Sequence, residues 1–228
     1  MPKIKAVVFD FDGVLTKGGE ELKEKAWEFL SDPWSNHAKI WLGVARRKYA
    51  QGKGSRFEIL KYVISRFGHA QAFDEAVVPA YIECYNRLVQ KLLMDSGLAE
   101  WARYALADLE QDYDLFVNSA TPVSGLVESL ETFNIERFFK LILGQPSSKQ
   151  ANVRIVGATL TVSDPQKIVF VGDGEGDCKA AKKFGCHFIG VANSWNNWEN
   201  KRPRGMAKSC LIKSLREVPD KIVLLEKK

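Results

Sequence analysis

Two carboxylates one residue apart, Asp10 and Asp12, follow the short apolar run Ala6-Val7-Val8-Phe9 and precede Gly13. In an extended chain, side chains at i and i+2 point the same way, so both carboxylates can face one pocket. Like charges that close are unfavourable unless a cation lies between them or one of them keeps a proton. Further residues capable of chemistry recur along the chain: Asn118-Ser119, Lys149, and Gly172-Asp173-Gly174-Glu175-Gly176-Asp177. Alone, each has a plain structural reading as a turn, a cap or a solvated charge. Together they suggest a specific chemistry. Asp10, Asp12, Asp173 and Asp177 offer hard oxygen ligands, a set that suits Mg²⁺ better than zinc. An ammonium at Lys149, and a hydroxyl at Ser119 with the backbone N–H groups beside it at Ala120, are what phosphoryl oxygens require. A carboxylate can itself be the nucleophile and form an aspartyl-phosphate. The set points to phosphoryl transfer.

The elements that must position these residues alternate. Buried strands are predicted at about 5–9, 115–119, 138–143, 168–171 and 187–191, with a last short one at 209–212. Helices are predicted between them, at about 98–109, 124–133, 149–159, 178–184 and 215–225. Strand and helix alternating with short links is the signature of a parallel sheet built from right-handed βαβ units, whose ligands bind outside the carboxyl ends of the strands. All four groups of candidate residues fall at predicted strand ends or at the helix starts that follow them. Residues 17–96 break the pattern. Helices are predicted at about 20–30, with Leu22, Ala26, Phe29 and Leu30 as the apolar face, and at 38–50, 55–67 and 73–94. Ser55 and Glu58 have the spacing of a capping box, and Pro79 predicts a bend or split in the last of these helices. The expected fold class is therefore α/β: a doubly wound, parallel-sheet, Rossmann-like core over 1–16 and 97–228, with an inserted all-helical domain over 17–96.

The totals agree with a folded enzyme. The 228 residues are enough for a full core, and 46% hydrophobic with 27% charged is an ordinary globular composition. Net charge is +5, a mild excess that suits small anions and lacks the dense basic stripe of nucleic-acid binders. No apolar run reaches the roughly 18 residues of a membrane span, and Met1–Lys5 leads into the first strand without an apolar leader, so a cytoplasmic location is expected. Cys84, Cys178, Cys186 and Cys210 are widely spaced, which predicts free buried thiols. The polar stretch 193–204 carries Trp195 and Trp198 and three basic residues; it reads either as an interaction surface or, as is expected, as a surface loop whose tryptophans pack back on the core.

The motifs closely resemble those of the haloacid dehalogenase-like superfamily. Its D-x-D-x-[TV]-L-T motif is matched by Asp10-Phe11-Asp12-Gly13-Val14-Leu15-Thr16, its strand-ending Ser or Thr by Ser119, its lysine by Lys149, and its G-D-x-x-x-D by Gly172, Asp173 and Asp177. The resemblance implies Asp10 as nucleophile and Asp12 as general acid/base. It implies Ser119, Ala120 and Lys149 on the phosphoryl oxygens. Mg²⁺ would be held by Asp10, the backbone carbonyl of Asp12 and Asp173, with Asp177 in support. Dehalogenase members lack the second aspartate, so Asp12 argues against dehalogenation.

The helical insertion lies where the family, in phosphoglycolate phosphatase-like and β-phosphoglucomutase-like members, places its cap. Gly52-Lys53-Gly54-Ser55-Arg56 resembles the mutase-like members' specificity loop, which makes Lys53 and Arg56 candidates for contact with the substrate's distal group. A run of basic residues, including Lys39, Arg46, Lys48 and Arg66, could draw an anion or simply be a solvated face. Leu22 stands where the mutase-like members carry a histidine, which counts against mutase activity. The implied function is a Mg²⁺-dependent phosphatase acting on a small phosphorylated metabolite, with no nucleic-acid or membrane partner. A phosphomutase or phosphotransferase acting on a sugar phosphate, or a catalytically silent binding protein of the same fold, are the alternatives.

Overall fold

The computed structural model describes residues 3–49, 55–67, 77–161, 164–204 and 206–227. Six strands form one sheet in the order β3-β2-β1-β4-β5-β6, and every neighbouring pair runs parallel. They are β1 (Ala6–Phe9), β2 (Asp114–Pro122), β3 (Phe139–Gln145), β4 (Ile168–Gly172), β5 (His187–Val191) and β6 (Leu211–Ile212). The expected doubly wound parallel sheet is what the chain forms.

β1 is central because its composition demands it. All four of its residues are wholly buried, as a strand covered on both faces requires. Its register pairs Val8 with Phe116 on one side and with Phe170 on the other. One face of the sheet is packed by α7 (Lys149–Thr159) and α8 (Glu175–Phe184): Val153, Val156 and Ala181 meet Ala6, Val8, Phe116, Ile168 and Phe170. Three helices, α5 (Ala102–Leu109), α6 (Val123–Thr132) and α9 (Val218–Glu226), complete the βαβ links and the C-terminus, and α5 packs on α9.

The chain divides into two compact units, residues 1–20 with 96–228, and residues 21–95. The second has only helices as regular secondary structure among its described residues. It holds most of α1 (Glu20–Ser31) and of α4 (Val77–Ser96), together with α2 (Asn36–Lys48) and α3 (Arg56–Phe67). Within it, Trp27 stacks on Tyr85 with ring centroids 4.3 Å apart, and both are buried. Phe29, expected on the apolar face of α1, is 57% exposed, and Trp27 takes its place in the core. Glu58 takes its part in the expected capping box: the Ser55 hydroxyl and the Ser55 N–H, the latter at 2.7 Å, both donate to Glu58 Oε2. These bonds, the hydroxyl's first, hold the Glu58 carboxyl below its usual range, while Ser55 Oγ accepts from the Phe57 N–H at 3.2 Å.

Residues 73–76, on the N-terminal side of the bend or split expected at Pro79, lie outside the described residues; from Val77 to Ser96, α4 is one helix with Pro79 in its first described turn. The thiols are free, but only Cys186 is fully buried, and burial pushes it up to about 12; Cys84 is exposed. None of the described helices is long and apolar enough to cross a membrane.

Candidate active site

β2, β1 and β4 are neighbours, and the strand order reverses at β1 and β4, so the residues leaving these strands share one edge. Asp10 follows β1 directly. Its N–H donates to Val171 O at 2.9 Å, extending the β1–β4 ladder by one residue and fixing where the side chain starts. Its Oδ1 accepts from the Phe11 N–H at 2.7 Å, and its Oδ2 pairs with Lys149 Nζ at 2.7 Å. The same Nζ lies 2.6 Å from Asp177 Oδ1. The lysine side chain is 18% exposed and its two partners 7% and 1%, so water screens the triad little.

Burial, and next Asp177, push the Asp10 carboxyl well above the usual carboxylate range, while Lys149 pulls it back. Burial works against the Lys149 ammonium, but Asp10 and Asp177 reverse this and hold its pKa above the ordinary lysine value.

The turn after Asp10 is built to be tight. Gly13 has φ +77, and the Asp173 carboxylate lies where any Cβ on Gly13 would sit. The Leu15 N–H donates to Phe11 O at 2.9 Å, and Thr16, itself buried, donates its hydroxyl to the same carbonyl at 3.3 Å. Asp12 leaves this turn in a direction of its own: its Oδ2 accepts from Thr121 Oγ1 at 3.3 Å. The carboxylates that converge are Asp10, Asp173 and Asp177, each offering an oxygen within 4.8 Å of the others'. This donor set of oxygens alone, with the Asp173 carboxylate seated against the Gly13 backbone, fits a hard divalent cation such as Mg²⁺. The Asp12 carboxylate is not part of that convergence; the resemblance assigns its backbone carbonyl, not its carboxylate, to the metal.

Each helix start at this edge is fixed by a side chain. Ser148 caps α7 by accepting from the Ala151 N–H at 3.2 Å, which makes Lys149 the first helical residue. The buried Asn118 amide donates to the Lys149 carbonyl at 2.8 Å, and Asn152 Nδ2 donates to Asn118 Oδ1 at 3.0 Å, tying the start of α7 to β2. α8 begins at Glu175, earlier than predicted, because Asp177 Oδ2 accepts the Gly174 N–H at 3.0 Å and so closes the first turn. One Asp177 oxygen thus holds the helix start while the other holds Lys149.

Ser119 is buried in β2, and its Oγ accepts the Thr121 N–H at 3.0 Å; Ala120 beside it is exposed. In the helical unit, Arg56 donates to Asn86 Oδ1 at 2.8 Å and lies 5.0 Å over the Tyr85 ring. Lys53 lies outside the described residues.

Several polar residues that serve the site were not singled out in the sequence. Asn152, with the Asn118 that the sequence did mark, anchors the start of α7 at Lys149, and Thr121 touches Asp12. Asn193 Nδ2 donates to Asp173 Oδ2 at 2.7 Å, and Asn196 Nδ2 donates to the Asp173 carbonyl at 3.0 Å. The available signal was position: polar residues directly after an apolar strand, at the edge where the site lies. The expectation for the tryptophans of 193–204 holds for one of them. Trp198 is buried against Phe188 with centroids 6.2 Å apart, whereas Trp195 is 49% exposed.

Comparison with known proteins agrees with this geometry. A phosphoglycolate phosphatase from Shigella boydii is 24% identical over 221 residues, spanning 86% of this chain and 84% of that protein. One from Pseudomonas putida is 21% identical over 205 residues, 85% of this chain and 71% of its own. Among solved structures, a β-phosphoglucomutase from Clostridium difficile superposes with TM-score 0.67 at 18% identity, over 99% of this chain and all of that one. A HAD-hydrolase from Bacillus subtilis bound to magnesium gives TM-score 0.66 at 16% identity, over 97% and 99%. At such identities these structures establish the shared fold. The sequence profile of haloacid dehalogenase-like hydrolases matches residues 4–185, most of the chain, and the chain belongs to the haloacid dehalogenase-like hydrolase family.

Proposed function

We propose that this protein is a Mg²⁺-dependent phosphatase that hydrolyses a small phosphorylated metabolite through an aspartyl-phosphate. The observation that carries the reading is the buried Lys149 ammonium, 2.7 Å from Asp10 and 2.6 Å from Asp177, at the sheet edge where Ser119 and Asp173 also emerge. Phosphatase relatives that align over most of the chain support the same reaction class.

In this reading the Asp10 carboxylate attacks phosphorus, and the bond from phosphorus to the leaving oxygen breaks. Asp12, protonated at this stage, gives its proton to the leaving alkoxide. Its carboxylate, oriented by Thr121, then takes a proton from water as that water attacks phosphorus. The Asp10–phosphorus bond breaks, inorganic phosphate leaves, and both carboxyls return to their starting forms. Lys149 and Ser119, with the Ala120 N–H, hold the phosphoryl oxygens. Asp10, Asp173 and the Asp12 carbonyl, supported by Asp177, would hold Mg²⁺, which when bound supplies positive charge against the phosphate oxygens.

Arg56, with one donor on Asn86 and its plane over Tyr85, has further N–H groups for an anionic distal group, and Lys53 is its companion candidate. A mutase has less support, since the position of its histidine is the apolar, buried Leu22.

The test is phosphate release from a panel of phosphomonoesters, beginning with 2-phosphoglycolate. We expect turnover that requires Mg²⁺, stops with EDTA, and falls by about 10⁴-fold or more in Asp10→Asn. Undiminished activity in that variant would refute the mechanism.

A further inference from the structure

The loop after β5 is absorbed by none of the roles above, yet it grips a carboxylate of the site. Asn193 Oδ1 accepts from the N–H groups of Trp195, at 3.1 Å, and Asn196, at 2.9 Å. Those two donors can face only an oxygen, so the amide orientation is settled and Nδ2 must point at Asp173 Oδ2, 2.7 Å away. Asn196 is fixed by the same logic. Its Oδ1 accepts from the Asn193 N–H at 3.2 Å and the Trp198 N–H at 3.1 Å, while its Nδ2 donates to the carbonyls of Asp173 and Val191 at 3.0 and 2.8 Å. Trp198, 4% exposed and packed on Phe188, anchors the loop to β5.

The consequence falls on the Asp173 carboxylate. It is the half-buried member of the three converging carboxylates. Gly13 bounds it on one side, and the Asn193 amide fixes one of its oxygens. A neutral amide is suited to this task. It donates a hydrogen bond without adding a positive charge that would compete with a cation, as an Arg or Lys would.

We propose that Asn193, locked by Asn196 and anchored through Trp198, is a positioning residue that sets how tightly the Asp10, Asp173 and Asp177 carboxylates hold a divalent cation. This inference rests on the Mg²⁺ site of the proposed function. It assigns to the 193–198 loop the control of that site's affinity.

The experiment is calorimetric titration of the full chain with Mg²⁺ alone, alongside thermal unfolding in EDTA. Asn193→Ser keeps a hydroxyl to accept the turn's N–H groups but is too short to reach Asp173. We expect its Mg²⁺ dissociation constant to rise roughly tenfold or more. The unfolding temperature in EDTA is expected to stay within about 2 °C of the parent. The Mg²⁺ concentration giving half-maximal phosphate release should rise in step with the dissociation constant, more than the rate at saturating Mg²⁺ falls. Asn193→Thr serves in the same way should the serine variant not fold. Parental Mg²⁺ affinity in the variant overturns the proposal, and so does a lowered unfolding temperature with affinity unchanged, which would make Asn193 merely structural. Absence of Mg²⁺ binding by the parent itself would instead bring down the proposed metal site, and this inference with it.

Discussion

In the helical unit, cationic side chains lie on aromatic rings near the surface: Lys48 sits 4.6 Å over Tyr62, and Arg66 lies 5.0 Å over Trp41 and 5.3 Å over Tyr62. Arg46 pairs with Glu24, both partly exposed. In the sheet unit, the Lys149 ammonium is held between two carboxylates, all three groups largely buried. The difference follows from geometry. Helix periodicity spreads charges over a solvated face, where each has water as an alternative partner. Parallel strands all finish at one edge, so residues leaving β1, β2 and β4 are brought together whatever their charge. The helical unit's basic run, which the sequence left open between an anion-attracting field and a solvated face, is in the described residues largely engaged with its own rings and acids.

Removing one charge from each unit tests the contrast. Lys149→Met leaves Asp10 and Asp177 buried together without their cation, and in EDTA at neutral pH the variant is expected to lose roughly 3–5 kcal/mol in denaturant unfolding. That deficit should narrow as pH falls. The Asp10 carboxyl is already raised by burial and Asp177, so in the folded state it takes up a proton at higher pH than in the unfolded chain, and acid then favours the folded form. A deficit that stays constant with pH would mean that packing, not charge, is what the lysine supplies.

Thr121→Val should have an intermediate effect, removing the hydroxyl bonded to the Asp12 carboxylate and lowering kcat about tenfold, in keeping with roughly 1.5–3 kcal/mol for a hydrogen bond to a charged group. An unchanged kcat would separate Thr121 from proton transfer. The smallest change is expected in the helical unit, where Arg46→Met should cost no more than about 1 kcal/mol by the same denaturant assay. A loss as large as that of Lys149→Met would erase the distinction between the two units.

Much of the framework was legible because its signals are local. Val7-Val8-Phe9 reads as a doubly buried strand from composition alone, Lys149 reads as a helix start, and Ser55 with Glu58 reads as a capping box. Readings that depended on exact position were less secure. α8 begins at Glu175, earlier than its apolar pattern suggests, because Asp177 caps it, a role that competes in the sequence with reading Asp177 as a ligand alone. Phe29 and Trp27 are both apolar and two residues apart, and only the stacking of Trp27 on Tyr85 decides which is buried.

By itself the sequence determined the alternating core, the helical insertion and the residue types of the site, since strand and helix periods and motif spacings are written into neighbouring residues. The tertiary structure decided how the four aspartates divide. Asp10, Asp173 and Asp177 converge, while Asp12 turns to Thr121. It also decided that Lys149 is shared by two carboxylates and that Asn193, twenty residues from Asp173 along the chain, holds that carboxylate. These are contacts between separate strand ends. No local pattern specifies which oxygen meets which donor once the sheet has brought those ends to one edge.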